Sequence, residues 1–320
     1  MKVLANDGIS KSGQEALENA GIEIVVTKVA QEQLKDFINN NQIDVLLVRS
    51  ATTVRAELID ACPNLKAIGR GGVGMDNIDV AYARDKGLRV FNTPVASSRS
   101  VAELVFAHLF GGARFLHDAN RNMPLEGDSR FKALKKNYSA GAELTGKTLG
   151  IVGLGHIGKE VARMALGLGM KVISNRRHQG DTPVHVTLLN GEDYEVNIPN
   201  VDFPDLLAQS DFISFHVPAQ DRPIIGKAEI PQLKDGVGLV NTSRGGIIDE
   251  EALLEGLESG KIGFAGLDTF ENEPSPSLRI LMNDKVSLSP HIGASTLEAQ
   301  DKIGLELAEK IIELKAAGNF

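Results

Sequence analysis

The chain has 320 residues, of which 42% are hydrophobic and 24% charged, so it can bury one large core or two ordinary ones, and two domains are expected. Its formal net charge of −8 argues against nucleic acid or an anionic membrane as the main partner, since either would require a basic face. The single cysteine, Cys62, rules out an intrachain disulfide framework, and no apolar run approaches the ~18 residues that span a bilayer, so we expect a cytoplasmic protein.

Short apolar runs alternate with helical patterns over the first 92 residues, which is typical of a parallel sheet with helices between its strands. The predicted strands are Val3 to Ala5, Ile22 to Val26, Val45 to Val48, Ala67 to Gly69 and Arg89 to Phe91. A long amphipathic helix is predicted next, from about Ser98 to His117. Ser98 or Ser100 opens this helix, and Glu103 follows Ser100 at the spacing of a capping box.

Residues 148–158 have the sequence TLGIVGLGHIG, an apolar run that closes on three glycines. Gly153 permits a tight turn, Gly155 removes a side chain where pyrophosphate must approach, and Gly158 lets the next helix pack closely on the strand. The helix N-terminus adds N–H groups and a positive dipole. Because a helical pattern follows over 157–168 and a further strand is predicted at 171–174, the segment predicts a βαβ unit that binds a dinucleotide.

Further strands predicted at 212–217, 238–241 and 263–267 extend this second α/β region, and an amphipathic helix is predicted from residue 301. Residues 178–204 interrupt the pattern with polar sequence punctuated by proline, which predicts an extended excursion or a hairpin. Since the glycine turn lies in the middle of the chain, the first ~95 residues are predicted to form a substrate domain.

Three polar segments each follow an apolar run and are therefore expected at the carboxyl ends of strands, where open α/β sheets bind ligands. They are NTSRGG at 241–246, LDTFENEP at 267–274 and SPHIGAST at 289–296. Taken singly, Arg244 is explained by a surface salt bridge, Glu273 by a solvated loop and His291 by a hydrogen-bonded loop. The combination of all three residues indicates a catalytic site far more specifically than any one of them.

In these motifs the chain resembles the D-isomer-specific 2-hydroxyacid dehydrogenases, and the resemblance covers nearly its whole length. It assigns the catalytic roles to Arg244, Glu273 and His291, which occupy the family's arginine, glutamate and histidine motifs in that order. Histidine suits the proton donor to a 2-keto acid because its ordinary pKa lies near neutrality. Glu273 would fix the tautomer of His291 and favour its imidazolium, and Arg244 would grip the substrate carboxylate and polarise the carbonyl.

The pattern and the resemblance together predict an α/β fold with two doubly wound parallel-sheet domains, in which a Rossmann nucleotide domain is inserted in a flavodoxin-like substrate domain. We place the substrate domain at residues 1–97 and 290–320 and the nucleotide domain at 98–289. The resemblance also implies a homodimer formed through the helix after Ser98. No regulatory module is expected after residue 320.

The segments at 48–54, 69–79 and 92–104 most resemble the phosphoglycerate-oxidising members of the family. The resemblance assigns five residues to the substrate, Arg49, Arg70, Gly72, Val73 and Gly74. The two arginines would hold a phosphate and the glycine-rich backbone a carboxylate, although a tight turn after a strand also explains the glycines. Those members commonly carry Gly-Asn where this chain has Ala96-Ser97. Reduction of hydroxypyruvate or glyoxylate is therefore the alternative within the same chemistry.

The cofactor is expected to be NAD(H) or NADP(H). NAD-specific proteins place an acidic residue about 18 to 20 residues beyond the last glycine, where this chain has Asn175, Arg176 and Arg177. An arginine there favours the 2′-phosphate of NADP(H), unless both arginines are simply solvated charges at a strand end. The glycine turn and the resemblance assign these further cofactor contacts: Gly153, Gly155, His156, Ile157, Gly158, His216, Val217, Pro218, Thr242, Ser243, Asp268 and Gly293.

A nucleotide-sensing protein without catalysis, similar to the transcriptional corepressors that resemble this family, is the alternative from another class. Such a sensor needs the glycine turn but neither a proton donor with its carboxylate nor substrate arginines, so the complete set favours an enzyme. No metal site is predicted. His108 and His117, on the long helix, are expected to pack or to face water, because their spacing does not put them neatly on one helical face.

Overall fold

A computed structural model describes residues 1–178, 180–187 and 190–318 of the chain. These residues form two compact units, which we call unit 1 and unit 2. Unit 1 consists of Met1–Ser100 and the segment that begins at Ala294, and unit 2 is Val101–Gly293. Each unit is built on a parallel sheet with helices, which confirms the predicted α/β fold class. No helix among the described residues is both long and apolar enough to cross a membrane.

Unit 1 contains a five-stranded parallel sheet. Its strands are β1 (Lys2–Ala5), β2 (Glu23–Val26), β3 (Val45–Val48), β4 (Ala67–Arg70) and β5 (Arg89–Asn92). Their spatial order, β2-β1-β3-β4-β5, is that of a flavodoxin-like domain. Because the strands are parallel, their carboxyl ends lie together at one end of the sheet, and Arg49 and Arg70 are both at that end.

The helices of unit 1 cover both faces of its sheet. They are α1 (Lys11–Asn19), α2 (Leu34–Asn40), α3 (Ala56–Ala61), α4 (Val80–Asp85) and the C-terminal helix (Leu297–Ala316). Alternate strand residues enter opposite apolar layers, so Leu46 packs with residues of α2 and α3, and Val45 with residues of α1 and the C-terminal helix. Helix α1 and the C-terminal helix approach each other closely, as shown by Gly13, where a Cβ atom would lie 2.6 Å from the carbonyl carbon of Gly304.

Unit 2 contains a six-stranded parallel sheet and a separate two-stranded hairpin. The strands are β6 (Thr148–Val152), β7 (Lys171–Asn175), β8 (Thr182–Thr187), β9 (Asp193–Ile198), β10 (Phe212–Phe215), β11 (Val237–Asn241), β12 (Ile262–Leu267) and β13 (Val286–Leu288). The order in the parallel sheet is β13-β12-β11-β10-β6-β7. The position of 289–296 after an apolar run implied a strand where β13 lies, but its range could not be predicted, because three residues are too short for a periodic pattern.

The segment 178–204 forms the hairpin β8–β9, paired antiparallel from Thr182 opposite Ile198 to Thr187 opposite Asp193. Gln179, Leu188 and Leu189, which belong to the same predicted excursion, lie outside the described residues. After the hairpin, Asn200 forms a single parallel bridge with Ser174 of β7. This bridge occupies the place of the third strand in the Rossmann order 3-2-1-4-5-6, and the hairpin occupies the connection that leads to it.

The predicted helix from Ser98 to His117 is wrong at its C-terminal end. Helix α5 spans Ser98–Ala113, and α6 begins only at Leu116, after Phe115 turns the chain with a left-handed φ of 54°. A left-handed residue other than glycine has no sequence signal, so the apolar pattern continues through the break.

The remaining helices of unit 2 are α6 (Leu116–Glu126), α7 (Phe131–Asn137), α8 (His156–Gly167), α9 (Phe203–Gln209), α10 (Glu250–Ser259) and α11 (Leu278–Leu281). They cover both faces of the parallel sheet. Phe212 of β10 lies in the apolar layer of α5 and α8, and its neighbour Ile213 in the layer of α9 and α10. Polar residues that bind a ligand are therefore expected at the carboxyl ends of the strands.

Candidate active site

The glycine turn between β6 and α8 brings the backbone of two of its three glycines close to neighbouring backbone. Gly153 has a φ of +93°, and a Cβ atom there would lie 2.4 Å from the carbonyl oxygen of His216. A Cβ atom on Gly158 would lie 2.3 Å from the carbonyl oxygen of Gly153, so glycine lets α8 approach its strand. A Cβ atom on Gly155 would meet nothing within 4 Å. The approach to the turn is therefore open at Gly155.

The first turn of α8 supplies the donors at this place. Gly155 is the N-cap residue, and His156, Ile157 and Gly158 follow it in the first turn. Their N–H groups have no intrahelical acceptor, because the first turn of any helix lacks one, and the helix dipole favours an anion there. The side chain of His156 is exposed. The residues present fit a dinucleotide phosphate.

Asn175, Arg176 and Arg177 lie at the end of β7 and just beyond it. The Asn175 side-chain amide donates to the carbonyl of Val201 at 2.9 Å, and the Arg176 N–H donates to Asn200 Oδ1 at 3.0 Å. The Arg176 guanidinium donates to the carbonyl of Gly180 at 3.2 Å and is half-buried, whereas Arg177 is exposed. The segments on either side of the hairpin thus hold Arg176 at the end of β7.

The strand predicted to reach Val217 ends at Phe215, so His216, Val217 and Pro218 form a loop. The loop lies against the glycine turn, since a Cβ atom on Gly153 would lie 2.9 Å from Val217 Cγ1. His216 Nε2 hydrogen-bonds the hydroxyl of Ser214 at 2.8 Å. Burial lowers the pKa of the His216 side chain to about 3, so its imidazole is neutral at physiological pH.

The Arg244 loop follows β11 and is shaped by Asn241, the buried last residue of that strand. Asn241 Oδ1 accepts hydrogen bonds from the N–H and hydroxyl of Ser243, and its amide donates to the carbonyl of Arg244. The Arg244 guanidinium donates to the carbonyl of Ser243 at 2.7 Å. Thr242 is buried, and its hydroxyl has no hydrogen-bond partner among the described residues. A polar cofactor group could satisfy that hydroxyl.

The loops that follow β11 and β12 are in direct contact. A Cβ atom on Gly245 would lie 1.9 Å from the carbonyl oxygen of Phe270, so only glycine allows this approach. The Phe270 N–H in turn donates to Glu273 Oε1 at 3.0 Å. The backbone next to Arg244 therefore packs against the loop that holds Glu273.

Glu273 and His291 form the hydrogen bond that the sequence analysis anticipates. Glu273 Oε2 lies 2.8 Å from His291 Nδ1, and both side chains are partly exposed. An ionised carboxylate only accepts hydrogen bonds, so Nδ1 carries a proton and Nε2 is the ring nitrogen left for another partner. Nε2 has no hydrogen-bond partner among the described residues. Since β11, β12 and β13 are neighbouring strands, the structure brings the loops of all three catalytic candidates to adjacent strand ends.

Asp268 follows β12 and is completely buried. Its Oδ1 accepts from the Ser289 hydroxyl at 2.6 Å and from the Ile292 N–H at 2.8 Å, and its Oδ2 accepts from the Gly293 N–H at 2.8 Å. Burial raises the pKa of the Asp268 carboxyl, against the opposite effect of these hydrogen bonds. Through its hydrogen bonds with Ile292 and Gly293, the Asp268 carboxyl connects the backbone that follows His291 to the end of β12.

The five substrate candidates belong to unit 1, whereas the catalytic and cofactor candidates belong to unit 2. A cavity of about 530 Å³ at the carboxyl ends of β1, β2 and β3 includes Arg49 in its lining. The Arg49 guanidinium has no carboxylate partner among the described residues, whereas Lys28 in the same lining is paired with Asp7. An uncompensated arginine in a cavity suits an anionic ligand.

The glycine turn after β4 supports only part of the predicted carboxylate cradle. The Gly72 N–H already donates to the Thr93 hydroxyl at 2.8 Å, so it holds the turn itself. Among the described residues, neither the Val73 nor the Gly74 N–H donates to a protein acceptor, and these two groups remain suited to a carboxylate. Arg70 is half-buried, with its guanidinium 3.3 Å from the carbonyl of Gly71.

Three residues that shape the site were not predicted from the sequence, namely Thr93, Asn241 and Ser289. Each is a small polar residue that hydrogen-bonds a loop rather than the substrate. The one available signal is position, because Asn241 and Ser289 each end or follow a buried strand next to a candidate residue. Within the described part of the chain, no group of three or more His, Cys, Asp or Glu side chains could hold a metal ion.

The family model for the NAD-binding domain of D-isomer specific 2-hydroxyacid dehydrogenases matches residues 106–293. The hydroxypyruvate reductase of Thermotoga maritima is 44% identical over 318 residues, which cover 98% of this chain and 97% of that protein. The D-3-phosphoglycerate dehydrogenase of Archaeoglobus fulgidus is 40% identical over 98% of this chain, which spans only 57% of that longer protein. A glyoxylate reductase structure from Paecilomyes thermophila matches with a TM-score of 0.82 and 31% identity, over 99% of this chain and 95% of that one.

The chain therefore belongs to the D-isomer-specific 2-hydroxyacid dehydrogenase family. Membership makes it an oxidoreductase of small 2-hydroxy or 2-keto acids that uses a nicotinamide cofactor.

Proposed function

We propose that Arg244, Glu273 and His291 form the catalytic set of this dehydrogenase. The hydrogen bond between Glu273 and His291, at the ends of neighbouring strands, carries the proposal. Glu273 holds the proton on Nδ1, so Nε2 is the ring nitrogen that exchanges a proton with substrate oxygen. A bound reduced nicotinamide would supply the hydride that the carbonyl carbon receives. In the reverse direction His291 accepts the hydroxyl proton through the same nitrogen.

Arg244 binds the substrate carboxylate in this proposal and polarises the carbonyl beside it. Its planar guanidinium can donate two parallel hydrogen bonds to a carboxylate, which an ammonium cannot do with the same geometry. The contact of Gly245 with Phe270 supports the role, because it fixes the arginine loop against the loop of Glu273. Loss of the guanidinium therefore affects substrate binding and turnover together.

The catalytic proposal is tested by the variants His291→Asn and Arg244→Gln. Each is expected to lower kcat/KM for 2-keto acid reduction ~100-fold or more, because a positioned proton donor or charge stabiliser contributes about that much. His185→Asn is the matched control, since His185 also pairs with a glutamate, Glu195, but on the exposed hairpin. Turnover within a factor of about two of the unchanged chain in either variant would refute the assigned role.

We infer that the substrate is a phosphorylated acid, with oxidation of 3-phosphoglycerate to 3-phosphohydroxypyruvate as the leading reaction. Two arginines at the ends of neighbouring strands support a dianion, and Arg49 has no carboxylate partner among the described residues. Hydroxypyruvate or glyoxylate reduction is the second candidate. The match over nearly the whole length of the Thermotoga maritima hydroxypyruvate reductase favours it.

Steady-state rates with 3-phosphoglycerate, glycerate and glycolate separate these candidates. For a phosphorylated substrate, Arg49→Met is expected to raise the KM for 3-phosphoglycerate at least about 10-fold and to leave the KM for glycerate within about threefold. A preference of the unchanged chain for the unphosphorylated acids would overturn the choice in favour of the second candidate. Nucleotide binding without turnover of any of these acids would support the corepressor-like alternative instead.

We propose NADP(H) as the preferred cofactor. Arg176, held at the end of β7, and the exposed Arg177 stand where an NAD-specific protein carries an acidic residue, and their charge attracts a 2′-phosphate. The variant Arg176→Asp is expected to move the ratio of kcat/KM for NADPH over NADH toward NADH by about 10-fold or more. An unchanged ratio would show that the 2′-phosphate does not meet Arg176.

We propose further that two copies of the chain associate through unit 2. Several large apolar side chains of α5, α6 and α7 are exposed, among them Phe110, Leu116, Leu125 and Phe131. Exposed apolar residues concentrated on neighbouring helices are typical of an interface between proteins. Light scattering of the unchanged chain and of Leu125→Asp tests this, with a dimer mass expected for the first and a shift toward monomer for the second. A monomeric unchanged chain would refute it.

A further inference from the structure

A buried chain of hydrogen bonds connects helix α5 with the backbone that follows His291. It starts at Ser287, whose hydroxyl lies 2.8 Å from His108 Nδ1, and continues from His108 Nε2 to the hydroxyl of Ser289 at 3.0 Å. Ser289 is bonded to Asp268 Oδ1 at 2.6 Å, and Asp268 accepts the N–H groups of Ile292 and Gly293. His108, Ser289 and Asp268 are each less than one-tenth exposed.

The site around His108 is built to receive its ring. Ser287 and Ser289 are two residues apart in extended backbone, so both hydroxyls face the same side, where the imidazole lies between them. Helix α5 approaches β12 closely here, since a Cβ atom on Gly266 would lie 2.5 Å from His108 Cβ. A lone buried histidine has other ways to satisfy its nitrogens, but here both meet a hydroxyl at hydrogen-bond distance.

The proton positions along this chain follow from its end. Asp268 as a carboxylate can only accept, so the Ser289 hydroxyl donates to it and must itself accept from His108 Nε2–H. The neutral imidazole then has no proton on Nδ1, which accepts from the Ser287 hydroxyl. Burial lowers the pKa of His108 to about 4, with a smaller effect of His117, in keeping with this neutral tautomer. Every hydrogen bond in the chain therefore points toward Asp268.

The far end of the chain holds strained backbone. His291 has a left-handed φ of 54°, which a residue with a side chain rarely adopts unless its surroundings hold it there. Asp268 binds the two N–H groups that come directly after His291, and so fixes the peptide planes on that side. The Asp268 carboxylate is itself fixed by Ser289, and Ser289 by His108. A shift of Asp268 would move the His291 ring relative to Glu273.

We propose that His108 is a positioning residue, which acts through Ser289 and Asp268 to hold the loop of His291 in the geometry that proton transfer requires. The catalytic role of His291 in this proposal rests on the proposed function. That His108 stabilises the conformation of the His291 loop is a separate, structural claim. Displacement of a catalytic group by about 1 Å is enough to cost up to ~100-fold in rate. A partly supported loop is expected to cost less, about 10-fold.

Backbone hydrogen exchange tests the hold on the loop without any assay of activity. His108→Leu is expected to raise the exchange rates of the Ile292 and Gly293 N–H groups at least about 10-fold, because the carboxylate that accepts them is no longer fixed. Ser210→Ala is the matched control: it also removes a buried hydroxyl of unit 2, but that hydroxyl donates to the carbonyl of Leu206, outside the chain. Unchanged exchange at Ile292 and Gly293 in His108→Leu would overturn the proposal.

Kinetics with hydroxypyruvate and the preferred cofactor test the consequence for turnover. His108→Leu is expected to lower kcat about 10-fold and to leave the KM for hydroxypyruvate within about twofold, since substrate contacts are kept. His108→Gln, whose amide can still donate to Ser289, should recover kcat to within about threefold. In an Asp268→Asn background, His108→Leu should have an effect below twofold, because the two residues act in series.

Two results would count against the positioning role. If His108→Leu lowers kcat by the same factor with and without Asp268→Asn, the histidine does not act through the carboxylate. If His108→Leu does not fold, Ser287→Ala replaces it as the test variant. A normal exchange rate at Ile292 together with a normal kcat in Ser287→Ala would overturn the role proposed for this series of hydrogen bonds. Absence of turnover in the unchanged chain would refute the proposed function, while the exchange measurement still decides the hold on the loop.

Discussion

The contact between Gly245 and Phe270 provides a sharp test of the site, because it joins the loops of Arg244 and Glu273 without involving either side chain. In Gly245→Ala the new Cβ atom would lie 1.9 Å from the carbonyl oxygen of Phe270 and 2.3 Å from its carbonyl carbon. Both of these are backbone atoms, so the clash cannot be relieved by rotation of a side chain. One loop must move.

The size of the movement follows from ordinary contact distances. A carbon and a carbonyl oxygen approach one another to about 3.3 Å at the closest. The loops must therefore separate by more than about 1 Å, and a misplacement of that size costs about 100-fold in rate when it separates catalytic groups. Overpacking of a well-packed place also costs roughly 1–3 kcal/mol of folding free energy. We expect kcat to fall about 100-fold in a protein that still folds.

The assay combines steady-state reduction of a 2-keto acid with thermal unfolding. Gly246→Ala is the control, because Gly246 lies in the same loop and has a φ of +76°, but its Cβ atom would meet nothing within 4 Å. That variant carries backbone strain of roughly 1 kcal/mol without a steric clash. It should lose stability and keep kcat within about fivefold. A kcat for Gly245→Ala within twofold of the unchanged chain would show that the loop contact does not set the catalytic geometry.

Three further predictions address other parts of the site. Gly158→Ala should weaken dinucleotide binding at least about 10-fold in a fluorescence titration, because its Cβ atom would lie 2.3 Å from the carbonyl oxygen of Gly153, whereas Gly167→Ala, with open space at its Cβ, should bind normally. Glu273→Gln should lower kcat for keto acid reduction about 100-fold, because a neutral amide no longer holds the Nδ1–H of His291 through a charge-assisted hydrogen bond, and Glu195→Gln on the hairpin should have no effect. His108, whose pKa burial lowers to about 4, should contribute stability that is complete above pH 6.5 and is lost as the pH falls toward 4, because only the unfolded chain binds a proton in that range. The loss reaches about 3 kcal/mol in urea unfolding, and equal pH dependence in His108→Gln would contradict it.

The strands and the glycine turn could be predicted from sequence because their signals are local. Buried parallel strands are short apolar runs, and the steric reasons for Gly153 and Gly158 are seen in the structure, where a Cβ atom would lie 2.4 Å and 2.3 Å from a carbonyl oxygen, respectively. The end of α5 could not be predicted, since Phe115 adopts a left-handed conformation that its side chain gives no reason to expect. The hairpin could be placed but not described in detail, because polar strands have a weak periodic pattern.

The catalytic candidates could be found because proton transfer and carboxylate binding require particular side chains. An imidazole, a carboxylate and a guanidinium can be recognised in a sequence wherever they fall. The groups that support them are different in kind. Glu273 is held by the N–H of Phe270, and Asp268 binds the N–H groups of Ile292 and Gly293. Every residue except proline has a backbone N–H group, so the identity of a residue does not show that its N–H binds a catalytic side chain or its neighbour.

This difference explains why His108 was expected only to pack or to face water. Its partners are two serines that follow it in the chain by well over 100 residues, and serine is too common to signal a partner. The order of strands in the sheet supplies the missing information, because β12 and β13 must be neighbours before Ser289 can reach Asp268. A residue that supports a catalytic loop through such bonds is therefore found by following the hydrogen bonds outward from the reacting group. In this chain that path leads from His291 to a buried histidine on α5.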